Sequence, residues 1–271
     1  MITRIVVSVI LLPLLLVVVL VLPEWATGLL FGASCAVAAF ELLYTTGIVR
    51  RIRLCAYTAV AGFWCALWCC LGISYAWLLL GLLVFWLILF AEFMLSGMKL
   101  PFDQLTGCFT AGVVLPLMLG AMVRLRCMDD GKILILLPFL ISFTSDTGAY
   151  FTGKYLGKHK MAPKISPKKT VEGLLGGILC AVVGMLIFCL ITDVFSDLKV
   201  HYLYALVYGI VGSLAGVFGD LCFSAVKRQT GIKDYGKLIP GHGGVLDRFD
   251  SLMIVGPFVE IMMVLLPVVE R

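Results

Sequence analysis

Apolar residues run for roughly 17 to 22 positions at a time along most of this chain and then give way to short polar stretches. The runs fall at about 5 to 22, 26 to 43, 54 to 72, 75 to 95, 106 to 123, 132 to 151, 171 to 192, 201 to 222 and 251 to 269. Each is long enough, as a helix, to cross roughly 30 Å of hydrocarbon. The pattern predicts an all-α integral membrane protein with about nine transmembrane helices.

Composition agrees: of the 271 residues 62% are hydrophobic and only 14% charged, and the mean hydropathy of +1.09 lies well outside the range of soluble domains. The first run follows Arg4 and resembles a signal peptide, but eight apolar runs follow it. Glu24 and Trp25 also make a poor cleavage site, so it is expected to stay as a spanning helix. Ten cysteines sit mostly inside the runs, without CxxC spacing or a neighbouring histidine cluster, and are expected to pack as small apolar residues. Nine crossings put the termini on opposite sides. With the N-terminus cytoplasmic and the C-terminus outside, sixteen of the 21 Lys and Arg fall on the inner face, as the positive-inside rule requires.

Two inner loops are long and basic, 152 to 170 (TGKYLGKHKMAPKISPKKT) and 223 to 250 (FSAVKRQTGIKDYGKLIPGHGGVLDRFD). Pro163 and Pro167 in the first, and Gly231, Gly236, Pro240, Gly241, Gly243 and Gly244 in the second, predict shaped loops rather than continued helix. Ionisable groups at membrane depth are costly and mark function. Asp146 and Asp220 sit near the inner ends of their runs, and Asp247 and Asp250 open the last one from the same side. Any one of these could be a helix cap or a partner of Arg248 or Lys227. Together, with Ser, Thr and Gly around them, they are the oxygen ligands that a hard divalent cation takes. The GHGG stretch at 241 to 244 gives backbone that can approach a phosphate closely, and Lys227, Arg228, Lys233, Lys237 and Arg248 could neutralise a polyphosphate. Phosphate plus metal is the simplest joint reading, although a basic loop such as Lys164, Lys168 and Lys169 can also be no more than an inner-face anchor.

The stretch from Ser224 to Asp250, S-x-x-K-R, then K-D, then H-G-G-x-x-D-R-x-D, resembles the signature of the phosphatidate cytidylyltransferases, also called CDP-diacylglycerol synthases. SDTGAYF at 145 to 151 and P-x-I-S-P-K-K-T-x-E-G at 163 to 173 look like that family's second conserved region. The resemblance covers about the last 130 residues; the first five runs match only in being apolar.

The resemblance implies conversion of CTP and phosphatidic acid to CDP-diacylglycerol and pyrophosphate at the cytoplasmic face of the membrane, in a bacterium the inner one. It also implies magnesium, alone or with a second cation, and a homodimer. By analogy and chemistry, Asp220, Asp247 and Asp146 are the expected metal carboxylates, and Asp220, Asp247, Lys227 and Arg248 the catalytic set. Ser166, Lys168, Lys169, Thr170, Ser224, Arg228, Lys233, Asp234, His242, Gly243 and Gly244 are expected to bind nucleotide or phosphate, with Asp250 supporting Arg248. Residues 131–271 then form the catalytic part. Residues 1–130 form a scaffold that offers a lipid path or a dimer surface.

The lipid phosphate is already anionic at neutral pH, so the attack needs charge neutralisation and alignment more than a base. Other readings are a CTP-dependent polyprenol or lipid kinase, disfavoured by the long KR to LDRFD match, and a transporter with buried acids, for which related halves are not evident. No nucleic-acid partner is expected. Asp129, Asp130 and Gly131 read as a solvated turn, and His159 and His201 are not expected to be ligands. Glu41, Glu92 and Glu260, within or near apolar runs, are expected at helix ends, in bundle hydrogen bonds or along a lipid path.

Overall fold

A computed structural model describes residues 2–97, 99–241 and 243–271, with side chains from Val9 onward. The chain is mostly helical: α1 Val9–Val21, α2 Glu24–Thr45, α3 Ile52–Trp68, α4 Tyr75–Leu95, α5 Phe102–Arg126 and α6 Gly131–Tyr155. Then come β1 Lys160–Ala162, β2 Ser166–Thr170, α7 Val171–Phe195, β3 Lys199–Val200, α8 Tyr202–Gln229, α9 Leu246–Phe249, α10 Leu252–Leu265 and β4 Val269–Glu270. Among the described residues six helices, α2 and α4 to α8, are long and apolar enough to cross a membrane, while α1, α3 and α10 are shorter apolar helices. The architecture is that of an integral membrane protein.

The apolar pattern locates the helices well but misses how far some run past it. α8 continues to Gln229, so Ser224, Lys227 and Arg228 lie on helix rather than in the expected loop from residue 223. It stops where Gly231 takes φ +72. The Gly231 N–H there meets the Arg228 carbonyl at 3.3 Å and the Ile232 N–H meets the Lys227 carbonyl at 3.0 Å. That pair of bonds, with a left-handed glycine, is the Schellman way of ending a helix. The expectation of purely helical structure is also modified, because β1 and β2 pair antiparallel inside the first basic loop and β3 pairs with β4. Lys160 lies opposite Thr170 and Ala162 opposite Ser166. The prolines there exclude helix, and a short ladder satisfies the backbone instead.

The molecule divides into two compact units, residues 1–132 with 227–249 and residues 133–226 with 250–271. The first carries a core of Leu43, Leu54, Phe85, Leu89, Leu105 and Val113 with smaller Ala and Cys neighbours. Its buried Arg126 donates to the Val19 carbonyl at 2.9 Å and pairs with Glu24 at 3.3 Å, so a charge inside apolar surroundings is fully partnered.

The second unit is built on α6 against α7, and small residues set how close they come. A Cβ on Gly148 would lie 2.6 Å from the Cys180 Cβ, and one on Gly176 would lie 2.6 Å from the Thr152 Cβ. Without a hydrophobic drive between helices in lipid, this close backbone approach is what holds them together. Gly176→Leu is therefore expected to cost about 1–3 kcal/mol by overpacking. Thermal unfolding of the detergent-solubilised protein should show a lowered midpoint, and an unchanged one would contradict the packing.

Candidate active site

Each unit carries one cluster of the residues that the sequence singles out. In the second unit, a pocket of about 200 Å³ opens beside the β1–β2 hairpin and is lined by Asp146, Tyr150, Lys168, Lys169, Thr170 and Gly173. Met161, Leu174 and Val217 supply its apolar wall. Asp146 comes from α6, on an exposed position of the helix, and the lysines come from β2.

The hairpin is fixed at its base. The Thr170 hydroxyl caps α7 by accepting the Gly173 N–H at 3.1 Å. Glu172, next to it, accepts the backbone N–H groups of Lys158 at 3.1 Å and His159 at 3.2 Å, and its carboxylate meets the His159 ring at 2.5 Å. Glu172 thus ties the hairpin to the start of α7. It belongs to the quoted T-x-E-G stretch, yet no role follows from the sequence because its partners are local backbone groups. The ring of His159 is thus a partner of Glu172.

Asp220 on α8 completes this cluster. One carboxylate oxygen pairs with the Lys169 ammonium at 2.5 Å and the other accepts the Ser224 hydroxyl, one turn further along, at 3.0 Å. Ser145 and Ser213 share a hydrogen bond of 2.7 Å between α6 and α8, so Ser145 packs helices rather than lining the pocket. Ser166 is half-buried on β2, and Lys168 is exposed. Asp250 accepts the N–H of Ser251 at 2.8 Å, and its backbone carbonyl lies where a Cβ on Gly219 would be 2.7 Å away.

In the first unit, the segment after α8 folds around Asp247, which is buried on α9. One of its oxygens takes the Lys227 ammonium at 2.8 Å; the other takes the N–H groups of Tyr235 at 2.8 Å and Gly244 at 3.0 Å. Three donors on one carboxylate make Asp247 the organiser of this loop. Lys227 also lies 5.4 Å from the centre of the buried Tyr235 ring, a cation–π contact that holds the ammonium in place. Ile239 donates to the Gly243 carbonyl at 3.0 Å, closing the turn that carries the glycines. Gly243 itself has φ +85. Lys233, Asp234 and Lys237 are exposed in the loop, Arg248 is exposed on α9, and Arg228 is exposed on the last turn of α8. His242 lies outside the described residues.

Glu41, expected at a helix end, in bundle hydrogen bonds or along a lipid path, lies in the last turns of α2. It is 5% exposed and accepts the N–H groups of Val245 at 3.1 Å and Leu246 at 2.9 Å. Glu92, the second flagged acid, stands 4.0 Å from Arg53.

The donors suit a hard cation. Carboxylates and hydroxyls gather in the pocket cluster with no cysteine or histidine among its lining residues, and oxygen is what magnesium takes. Among the described residues no three acidic, histidine or cysteine side chains form a closed metal cluster. An ion that keeps waters and substrate phosphates for its other positions does not need one.

Six described helices are long and apolar enough to span a bilayer, and each unit carries its own pair of ammonium and carboxylate, Lys169 with Asp220 in one and Lys227 with Asp247 in the other, which is the outline of a membrane protein with charged groups held at defined places. The chain belongs to the cytidylyltransferase family, whose model matches residues 2–266. It is 35% identical to the phosphatidate cytidylyltransferase of Staphylococcus epidermidis and 34% identical to that of Staphylococcus aureus, in each case over 146 residues. The match covers 54% of this chain and 55% of each relative, so it spans about half the length of the curated relatives.

Proposed function

We propose that the protein is a phosphatidate cytidylyltransferase, a nucleotidyltransferase that joins CTP to phosphatidic acid and releases pyrophosphate. The observation that carries this reading is the pocket in which Asp146, Lys168 and Lys169 surround one cavity, with Lys169 held on Asp220. The names of the relatives supply the substrates.

In the reaction, an anionic oxygen of the lipid phosphate attacks the α phosphorus of CTP. A P–O bond forms there as the bond to the β-phosphate oxygen breaks, and pyrophosphate leaves with that electron pair. No proton has to be removed from the nucleophile, so the residues act by holding charge in line. Lys168 and Lys169, with Ser166 and Thr170, bind nucleotide phosphates, and Lys169 is aimed by Asp220. Lys227, Arg228, Lys233 and Arg248, with Ser224, Asp234, His242 and the turn at Gly243 and Gly244, bind nucleotide or phosphate as the family signature implies. Fixed cations aimed at developing charge need no reorganisation as the reaction proceeds.

Asp220 and Asp146 would hold magnesium, which when bound neutralises phosphate oxygens as a Lewis acid. Asp247 is the third proposed metal carboxylate, beside the loop role its hydrogen bonds give it. Asp250 is proposed to support Arg248.

We further propose that α1, α3 and α10 also cross, giving nine spans with the N-terminus cytoplasmic, the C-terminus outside and the chemistry on the cytoplasmic face of a bacterial cell membrane. The basic inner segments fit anionic lipid headgroups at that face. Residues 131–271 would carry most of the chemistry, with residues 1–130 as scaffold and as the lipid path or dimer surface of a homodimer.

The test is substrate dependence. Purified protein with CTP and magnesium should release pyrophosphate only when phosphatidic acid is added, and CDP in its place would indicate a kinase.

A further inference from the structure

We propose that Glu41, on the end of α2, is a positioning residue that sets the loop carrying Asp247. The proposal rests on the reading of that loop as part of a nucleotidyl-transfer enzyme. It concerns a residue nearly two hundred positions before the family signature.

A carboxylate in the run AAFELLYTT has to find donors, because water is not available to it in an apolar bundle. α2 ends in a π-helical turn over Glu41–Thr45. Such turns alter the register at which side chains leave a helix and recur at functional sites. From it the Glu41 carboxylate takes two consecutive amides, one on each oxygen, Val245 at 3.1 Å and Leu246 at 2.9 Å. Both residues are buried, at 8% and 0% exposure. Without Glu41 their N–H groups would lose the acceptor these bonds provide, at the start of the short helix that carries Asp247.

Two further observations converge on the same contact. A Cβ on Gly244 would stand 2.5 Å from Oε2 of Glu41, and one on Gly236 would also overlap the carboxylate. Two of the loop's glycines therefore make room for Glu41, a role distinct from the phosphate approach expected of them. One turn beyond Glu41, the Thr45 hydroxyl lies 2.5 Å from the Tyr235 carbonyl, and the N–H of Tyr235 is itself a donor to Asp247. Both routes lead from the end of α2 to the Asp247 carboxylate.

The experiment combines two readouts on Glu41→Ala, Glu41→Gln and Gly244→Ala in detergent or nanodiscs. Hydrogen exchange of residues 243–248 reads docking without reference to activity, and steady-state kinetics with CTP, phosphatidic acid and magnesium reads its consequence. Glu41→Ala is expected to speed exchange at Val245 and Leu246 and to lower kcat by about a hundredfold, with KM for CTP changed much less, because misplacement by about 1 Å is enough for that. Glu41→Gln, with one acceptor left, should fall between. Gly244→Ala should reproduce the loss in the wild-type background and add little to Glu41→Ala, since the carboxylate it displaces is gone.

Native exchange at 245–246 in Glu41→Ala, or an unchanged kcat in all three variants, would overturn the proposal. So would a fall in stability alone with kcat of the folded protein unaltered. If Glu41→Ala does not fold, Glu41→Gln and Gly244→Ala decide the matter. If the wild-type protein forms no CDP-lipid, the enzymatic reading fails and, with native exchange lost in Glu41→Ala, the docking contact still stands.

Discussion

Asp220→Asn is expected to lower CDP-diacylglycerol formation by at least about a hundredfold, the scale on which a preorganised charged group acts on a transition state. Its melting temperature should barely change. The side chain is 29% exposed and Lys169 24%, so solvent screens much of what their attraction adds to stability. Asparagine has the same shape and can still accept from Ser224. What disappears is the negative charge, and with it both the anchor that aims Lys169 and one carboxylate oxygen of the proposed magnesium site. Turnover and thermal unfolding on one preparation check this. Full activity would remove Asp220 from the site, and a large loss of stability would make it a structural residue.

Asp247→Asn is expected to lower both quantities, and the structure gives the reason. Two oxygens serve three donors, and asparagine offers one oxygen and one N–H₂ group. Whichever way the amide turns, it presents donors to donors, either to the Lys227 ammonium or to the amides of Tyr235 and Gly244. The pair is buried, with 13% of the Lys227 side chain and 3% of Asp247 exposed. Removing one partner of a buried pair outright costs about 3–5 kcal/mol, a large share of a typical native stability of about 5–15 kcal/mol. Turnover should fall by about a hundredfold or more, and the melting temperature should fall with it. Wild-type stability in Asp247→Asn would show that the three hydrogen bonds do not organise the loop. Wild-type turnover would exclude a role as metal carboxylate.

Sequence alone gives both aspartates the same role, that of a metal ligand, because both are acids beside glycines and cations near the inner end of an apolar run. Their environments separate them, and those depend on partners that no local pattern reveals. The Tyr235 and Gly244 amides become donors to Asp247 only when the loop closes. The spans were legible because a bilayer imposes one length and one polarity on every crossing. The cations and glycines were legible because phosphate chemistry restricts which residue types can serve. The hairpin at 160–170 was not, since its lysines and prolines read only as a basic loop. Nor was the path of α8 to Gln229, which leaves the apolar pattern seven residues before it ends. Glu41 was visible as an anomaly, an acid in an apolar run, but its partners lie 204 and 205 positions away, beyond the reach of periodicity or motif spacing.

The most direct measurement follows the phosphorus atoms of CTP. With phosphatidic acid, magnesium and purified protein, CTP labelled at the α position should pass its label into the lipid, and CTP labelled at the γ position should give labelled pyrophosphate and an unlabelled lipid. Label from the γ position in the lipid, with CDP as the second product, would contradict transfer of a cytidylyl group by this protein.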